Sequence, residues 1–394
     1  MSEIPDFRSD AFLRGHIAWM IGFYHPRCVD PRGGYFHYYW NDGSFRDPDK
    51  RALVSSARMI VSYAMAARAQ RSDAYADALL HGLRFLREVH RNPVTGGYAW
   101  QVHHVDGRWA PLDATNQCYG LVHVALAYAH AVAAGIGEAR PWLAEQFALL
   151  DQRFWDPVHG LYADDANADW SVTSPYRGQN ANMHGCEAWL AAHAATGEAR
   201  YLDRTALIAR NICVRQADLA GGLVWEHYRP DWSVDWEYAK GDFSNGYRPW
   251  GFQPGHQTEW AKLLLQLHAR RPEAWMVERA RHFFDTALAR AWDGAHGGLV
   301  YSLEPDLSVA NADKYAWVQI ESAAAAALLA RQTGDVAYWT RYESLWRYCW
   351  RHLVDHAQGS WHRILGPDNR RIADDKGSGG KDYHVIGACF DLLD

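Results

Sequence analysis

One short pattern recurs along this chain and limits what it can fold into. It is a glycine or glycine pair, a few aromatic and apolar residues, and then a polar turn. It reads GGYFHYYWNDG from Gly33, GGYAWQVHHVDG from Gly96, HGLYADDANADW from His159, GGLVWEHYRPDW from Gly221, GGLVYSLEPD from Gly297 and GSWHRILGPDN from Gly359. Glycine at a bend, flanked by aromatic residues and closed by Asp-Gly or Pro-Asp, reads as a tight hairpin. The copies lie about 60–65 residues apart, with one longer gap of about 76, and such periodicity marks a repeat architecture.

Two segments of helical periodicity separate each hairpin from the next. They are Arg51–Gln70 and Asp73–His90, Ala114–Ala134 and Glu138–Phe154, Asn182–Thr196 and Ala199–Arg215, His256–Arg270 and Glu273–Trp292, and Lys314–Thr333 and Asp335–His352. Glycine or proline marks most of the turns inside these pairs, where it stops a helix cleanly. One further helix, Phe7–Phe23, precedes the first hairpin, and another, Lys381–Leu392, follows the last. The unpaired ends can pair with each other and complete a sixth unit. The expected fold is therefore all-α, an (α/α)6 barrel of six inner and six outer helices with short β-hairpins on one rim. An open helical array is the other arrangement the repeat permits. No Pro/Ser-rich linker interrupts the chain, so residues 1–394 are expected to form one domain.

In a closed ring the N-terminal ends of the inner helices converge on the axis. Just after each hairpin, at that end, stands a polar or ionisable residue in apolar surroundings: Arg58, Tyr119, His184 with Glu187, His256 with Glu259, Trp317 with Glu321, and His384. A lone histidine at a helix start is more often a cap or a satisfied core group. Three on three inner helices, two of them followed by Glu three residues on, make a site. Residues i and i+3 share a helix face, and a carboxylate beside a histidine raises its pKa or fixes its tautomer. That suits a general base near neutral pH. The same residues could hold a metal pair, but a matching set of extra carboxylates and an H-E-x-x-H motif are both missing. A glycosidase would need a paired carboxylic acid and carboxylate, and a non-catalytic sugar-binding ring is a third possibility.

Twenty Trp and twenty-one Tyr exceed what a core requires, and flat aromatic faces suit a sugar pocket as well as helix packing. The net charge of −6, with no basic run, argues against a nucleic-acid partner. The six cysteines are scattered without a C-x-x-C pair, as expected of reduced core thiols in a cytoplasmic protein. MSEIPDFRSD lacks the pattern of a signal peptide, and the Ala-rich stretch Ser322–Ala330 is too short to span a bilayer. KGSGGKD, Lys376–Asp382, lacks phosphate-loop spacing and reads as a flexible approach to the last inner helix that can close over the pocket. The long polar-aromatic segment Ser233–Gln253 reads equally as a lid or as an oligomer contact.

GQNANMHGCEAWL from Gly178, RPWGFQPGHQTEWAKLLL from Arg248, KDYHVIG from Lys381 and SSARMI from Ser55 resemble the N-acylglucosamine 2-epimerase superfamily over essentially the whole chain. Within it they are most similar to bacterial aldose–ketose isomerases that interconvert mannose and fructose. The resemblance implies an (α/α)6 barrel, a monosaccharide substrate, neither cofactor nor metal, and a monomer or homodimer. It implies His384 as the base that carries a proton between C2 and C1. His256, supported by Glu259, would assist ring opening or act on the other face, and Arg58 would stabilise the enediolate. His184, Asn180, Tyr119 and Trp317 would hold the sugar, with Glu187 and Glu321 as support. One departure is Tyr119-Gly120-Leu121-Val122-His123, where family members often read Tyr-x-His/Gln-Ala-Phe. Gly246 and Gly380 stand where a sulfosugar isomerase would be expected to carry longer polar side chains.

Overall fold

The computed structural model describes residues 4–40, 43–372 and 383–393. Among these residues the chain forms twelve helices: α1 (Asp10–Tyr24), α2 (Leu53–Gln70), α3 (Asp73–Phe85), α4 (Cys118–Ala133), α5 (Ala139–Arg153), α6 (Gln179–Thr196), α7 (Ala199–Arg210), α8 (Pro254–His268), α9 (Ala274–Ala291), α10 (Ala316–Thr333), α11 (Val336–His352) and α12 (Tyr383–Asp391). Two outer helices run on through π turns, α3 into Leu86–His90 and α7 into Asn211–Gln216 followed by Ala217–Leu219.

The even-numbered helices are buried on nearly every side, as their composition allows. Small residues around α10, including the buried run Ala323–Ala327, let neighbours approach from three directions. The odd-numbered helices bury one stripe and present a polar face outward, as Leu202, Thr205, Ile208 and Ala209 do on α7. Each inner helix packs on the next, from α2 through α4, α6, α8 and α10 to α12, and α12 returns to α2. The ring is closed. Helix α1 lies against α12 and α2, so the two ends of the chain complete the sixth unit as the repeat requires. The Tyr342 hydroxyl donates to the Phe7 carbonyl (2.6 Å) and fastens the start of the chain to α11.

Three outer helices start on side-chain caps, at Ser9, Ser72 and Asp335, and three do not, at Glu138, Glu198 and Glu273. Inner helices have none at Ala52, Gln117, Gly178, Gln253 or Tyr315. Backbone of the following connection does the work instead. Leu53 N–H donates to the Trp100 carbonyl (2.9 Å), Cys118 to Asp164 (2.6 Å), Gln179 to Glu226 (3.2 Å) and Ala316 to Arg363 (2.9 Å). Each connection thus crosses to the neighbouring unit, caps its inner helix and stitches the rim. The second connection is a full hairpin, Gln101–Val105 paired with Arg108–Asp113 and extended by Lys50–Ala52; the others are shorter. The connections open on an Asx turn, with Asn92, Asp156, Asp293 and Asp355 each accepting from two backbone N–H groups. Glycines at positive φ close these turns. At Gly298 (φ 78°) an added Cβ would lie 2.4 Å from the Tyr348 ring, so the turn has no room for a side chain. A second turn follows at Arg229–Ser233, Glu304–Ser308 and Gly366–Arg370, with Trp232, Leu307 or Asn369 in the left-handed region.

All six cysteines are free and buried. No described helix is long and apolar enough to cross a membrane. The segment Lys376–Asp382, and Gly380 within it, lies outside the described residues.

Candidate active site

The inner helices bring Arg58 (α2), Tyr119 (α4), Asn180 and His184 (α6), His256 and Glu259 (α8), Trp317 (α10) and His384 (α12) onto the wall of one cavity of about 220 Å³ at the rim end of the barrel. Residues from all six inner helices therefore meet, as the topology demands. Glu187 and Glu321 do not line this cavity. They stand one layer behind it and reach the cavity's histidines through hydrogen bonds.

Each of the three histidines rests its Nδ1 on a carboxylate. The His184 Nδ1–H donates to Glu187 Oε2 (2.8 Å), that of His256 to Glu226 Oε1 (2.8 Å) and that of His384 to Glu321 Oε1 (2.7 Å). A proton on Nδ1 leaves Nε2 with the lone pair, the form a general base needs. Only the first pair follows the i, i+3 spacing. His256 is not paired with Glu259. Its partner, Glu226, comes from the fourth hairpin, where the Gln179 amide also holds it by donating to Oε2 (2.9 Å). The indole N–H of Trp260 donates to Gln179 Oε1 (2.8 Å) and fixes the orientation of that amide.

The electrostatics follow from burial and these partners. Burial pushes the His384 imidazole below its ordinary value, and its bond to Glu321 pulls partly the other way. Burial and the nearby Arg58 charge hold His184 well below the usual histidine range. Burial would push Glu321 up, but the ammonium of Lys262, 2.5 Å from Oε2, and the bond from His384 outweigh it and hold the carboxyl below the ordinary value. Glu259 goes the opposite way. It is 1% exposed, its Oε2 has no hydrogen-bond partner, and burial with the charge of Glu321 raises its pKa well above normal.

Arg58 is the cavity's guanidinium. Its Nε donates to His123 Nε2 (3.1 Å) and its Nη2 to the Tyr119 hydroxyl (2.8 Å). Its charge lies 4.7 Å from the centre of the Tyr383 ring. The His123 Nδ1–H is spent on the Tyr119 carbonyl (2.7 Å), so its Nε2 is an acceptor. The departure at His123 thus has a use, as the seat of the arginine. Among the described residues no carboxylate lies within 4.0 Å of the Arg58 guanidinium, and its charge is available to the cavity.

The remaining wall includes Gly246, and Ser55, Tyr247, Trp361 and Arg363 from outside the sequence-based set. Trp361 is aimed by its indole N–H, which donates to His16 Nε2 (3.1 Å); burial lowers the pKa of His16 to about 3 and keeps it a neutral acceptor. Glu226 and Arg363 occupy equivalent places, four residues after the hairpin glycines Gly222 and Gly359, as does Asp164 after Gly160. That offset, read along the repeat, is a signal the sequence carries. The Ser233–Gln253 segment covers the mouth, with Tyr247 edge-on to Tyr119 (5.3 Å) and Trp100 (5.4 Å). It is tied down by Arg248 on Asp165 (2.5 Å) and by Asn180 Nδ2 donating to the Tyr247 carbonyl (3.2 Å). Donor atoms of His184, Glu187 and Glu259, and of Glu259, Glu321 and His384, lie within 4.8 Å of one another, close enough to bracket a cation. Hydrogen bonding and the Lys262 ammonium assign the His184, His384, Glu187 and Glu321 atoms to one another.

The closed ring of helix pairs, with three carboxylate-backed histidines and an arginine at one mouth, is that of an isomerase, as its relatives show. The profile of the N-acylglucosamine 2-epimerase (GlcNAc 2-epimerase) family matches residues 34–388. The chain is 48% identical over 391 residues to the D-mannose isomerase of Marinomonas mediterranea (strain ATCC 700492 / JCM 21426 / NBRC 103028 / MMB-1), covering 99% of this chain and 98% of the relative. A crystal structure of a D-mannose isomerase superposes with a TM-score of 0.95 at 47% identity, covering 99% of each chain. Cellobiose 2-epimerase from Spirochaeta thermophila DSM 6192 shares the fold, with a TM-score of 0.83 at 22% identity over 98% of this chain and 96% of that one. The chain belongs to the N-acylglucosamine 2-epimerase family.

Proposed function

We propose that this protein interconverts D-mannose and D-fructose by proton transfer through a cis-enediolate. The observation that carries the reading is the set of imidazoles on one cavity wall, each with Nδ1 on a carboxylate and, among the described residues, no partner on Nε2. The near-full-length likeness to D-mannose isomerases supplies the sugar.

In this reading His256, backed by Glu226, moves the proton that opens the pyranose ring. His384 Nε2 takes the proton from C2, and the negative charge that develops on the oxygens faces the Arg58 guanidinium. The same imidazole returns the proton to C1 while the hydroxyl proton of O2 passes to O1, and the C2 carbonyl of the ketose is left. Trp317, with its ring centre 5.0 Å from that of His256 and 5.8 Å from that of His384, gives the sugar a flat wall between the two histidines. Asn180, whose Oδ1 is buried without a partner, accepts from a sugar hydroxyl, and Tyr119 and His184 complete the hold.

The test is proton NMR of the enzyme with D-mannose in D2O, following products and the C2–H signal. Fructose as the main product is the expected result. Glucose as the main product would replace isomerisation by 2-epimerisation, and a silent spectrum would remove mannose as the substrate.

The position of Trp317 depends on Gly255. A Cβ there would lie 2.4 Å from the indole and 2.9 Å from Val318. Overpacking of this kind costs about 1–3 kcal/mol. Gly255→Ala is expected to raise KM roughly 10-fold, with kcat changed less than about 3-fold, because the histidines keep their carboxylates while the sugar loses its wall. Steady-state kinetics on D-mannose checks it, and an unchanged KM would mean that Trp317 does not hold the sugar.

A further inference from the structure

Lys262 lies on α8 one turn beyond Glu259, is 4% exposed, and does not line the cavity. A lysine so buried needs a reason, because desolvating its charge is unfavourable unless a partner offsets it. Its Nζ stands 2.5 Å from Glu321 Oε2 and 3.8 Å from Asp391 Oδ2. Glu321 gives its other oxygen to His384 Nδ1 (2.7 Å). The line Lys262–Glu321–His384 therefore runs across three inner helices, α8, α10 and α12, and ends at the cavity. Glu259 sits beside the same line, with a donor atom within 4.8 Å of those of Glu321 and His384. Two buried carboxyls this close cannot both be ionised on one cation. Neither Glu321 Oε2 nor Glu259 Oε2 makes a hydrogen bond among the described residues, but only Glu321 has the ammonium within 4.0 Å, and its other oxygen takes the His384 bond.

We propose that Lys262 is a positioning residue for His384: it fixes Glu321 as the ionised member of the Glu259–Glu321 pair, so that His384 carries its proton on Nδ1 and offers Nε2 to the substrate. This rests on the assignment of His384 as the base in the proposed reaction. The other charged and titratable groups around the pair and its ammonium are Arg58, Glu187, His184, Tyr119, Tyr383 and Asp391, with Arg68, His130 and Arg270 on the wall of a second cavity that Lys262 and Glu321 line. None of them is hydrogen-bonded to either carboxyl of the pair among the described contacts.

The test compares the full-length protein with Lys262→Met, Glu321→Gln and the double variant. In Lys262→Met the Glu321 carboxyl loses its cation and holds its proton to higher pH. The active form needs that carboxyl ionised, so the acid limb of kcat should move up by more than two pH units, to about pH 9. At pH 7 kcat should fall about 100-fold, within the range that general acid–base catalysis supplies, with KM changed less than about 3-fold. Activity should recover toward pH 9. A uniform loss at every pH would reduce Lys262 to a packing group and overturn the proposal. In the Glu321→Gln background Lys262→Met should cost no further activity, because its effect passes through Glu321; an additive loss would overturn it.

A second readout uses no substrate. In protein carrying 15N-histidine, the His384 ring is expected to be Nδ1-protonated in the wild type at pH 7 and to lose that preference in Lys262→Met. An unchanged His384 spectrum would overturn the positioning role whatever sugar the enzyme uses. A changed spectrum without turnover of mannose would leave it standing and strike the substrate assignment instead. If Lys262→Met fails to fold and the double variant folds, the counter-ion role is supported. If neither folds, Lys262 is a scaffold residue and the proposal falls.

Discussion

His384→Ala is expected to fold like the wild type and to lose at least about 1000-fold in kcat, with mannose binding changed little. General acid–base groups contribute roughly 10²–10⁴-fold, and a base that carries the proton in both directions is used twice per turnover. Loss of C2–H exchange with D2O should match the loss of product, because both begin with the same proton abstraction. If exchange survived while fructose formation stopped, His384 would serve only the return of the proton. The wild-type pH profile gives an independent check. A base works in its neutral form, and burial holds the His384 imidazole below its ordinary value. Lowering that pKa extends the neutral form toward acid. The acid limb of kcat is therefore expected below pH 6.5, the reference value for histidine. A limb above it would show that another group limits the rate, or that Glu321 dominates its partner's titration.

The fold was legible because the repeat writes its own punctuation. Glycines at Gly197 and Gly334 adopt the left-handed cap that ends α6 and α10, and the unpaired first and last helices left closure as the way to complete the sixth unit. The inner-helix half of the site was legible for the same reason, since topology alone sends Arg58, His184, His256 and His384 to one mouth. The other half was legible only through its offset from the hairpin glycines, which names positions and not partners. Glu226 and Arg363 belong to connections, and a connection crosses to the neighbouring unit before it meets its partner. Nothing local to Glu226 announces His256, which lies thirty residues on. The His-x-x-Glu spacing shows the limit well. It gave the right partner at His184–Glu187 and the wrong one at His256–Glu259. Spacing puts two side chains on one helix face, but the hydrogen bond goes to whichever carboxylate arrives at the ring nitrogen. At His256 the rim delivered Glu226 first. Glu259 was left without that bond, buried beside Glu321, where burial and that neighbouring charge raise its pKa.

Arg58→Gln is expected to lower kcat about 10²–10³-fold, the usual loss when one preorganised oxyanion partner is removed, with a smaller change in KM. The argument is one of charge and timing. The open-chain sugar is neutral, so a guanidinium gains little from it in the ground state. The enediolate carries developing negative charge, and an interaction realised only there raises kcat and not affinity. Arg58 is built for this role. His123 Nε2 and the Tyr119 hydroxyl hold the guanidinium by two separate nitrogens, and no described carboxylate neutralises it. Arg58→Lys should rescue poorly, because one ammonium on a flexible stem cannot span both anchors and still present charge at the same point. His123→Ala should fall between the wild type and Arg58→Gln, since it leaves the charge and removes one anchor. Steady-state kinetics of the three variants, with inhibition by a hydroxamate that mimics the enediolate, provides the measurement. The inhibitor's affinity should drop in step with kcat across the series. A fall in kcat with hydroxamate binding intact would place Arg58 elsewhere in the cycle, at ring opening or product release.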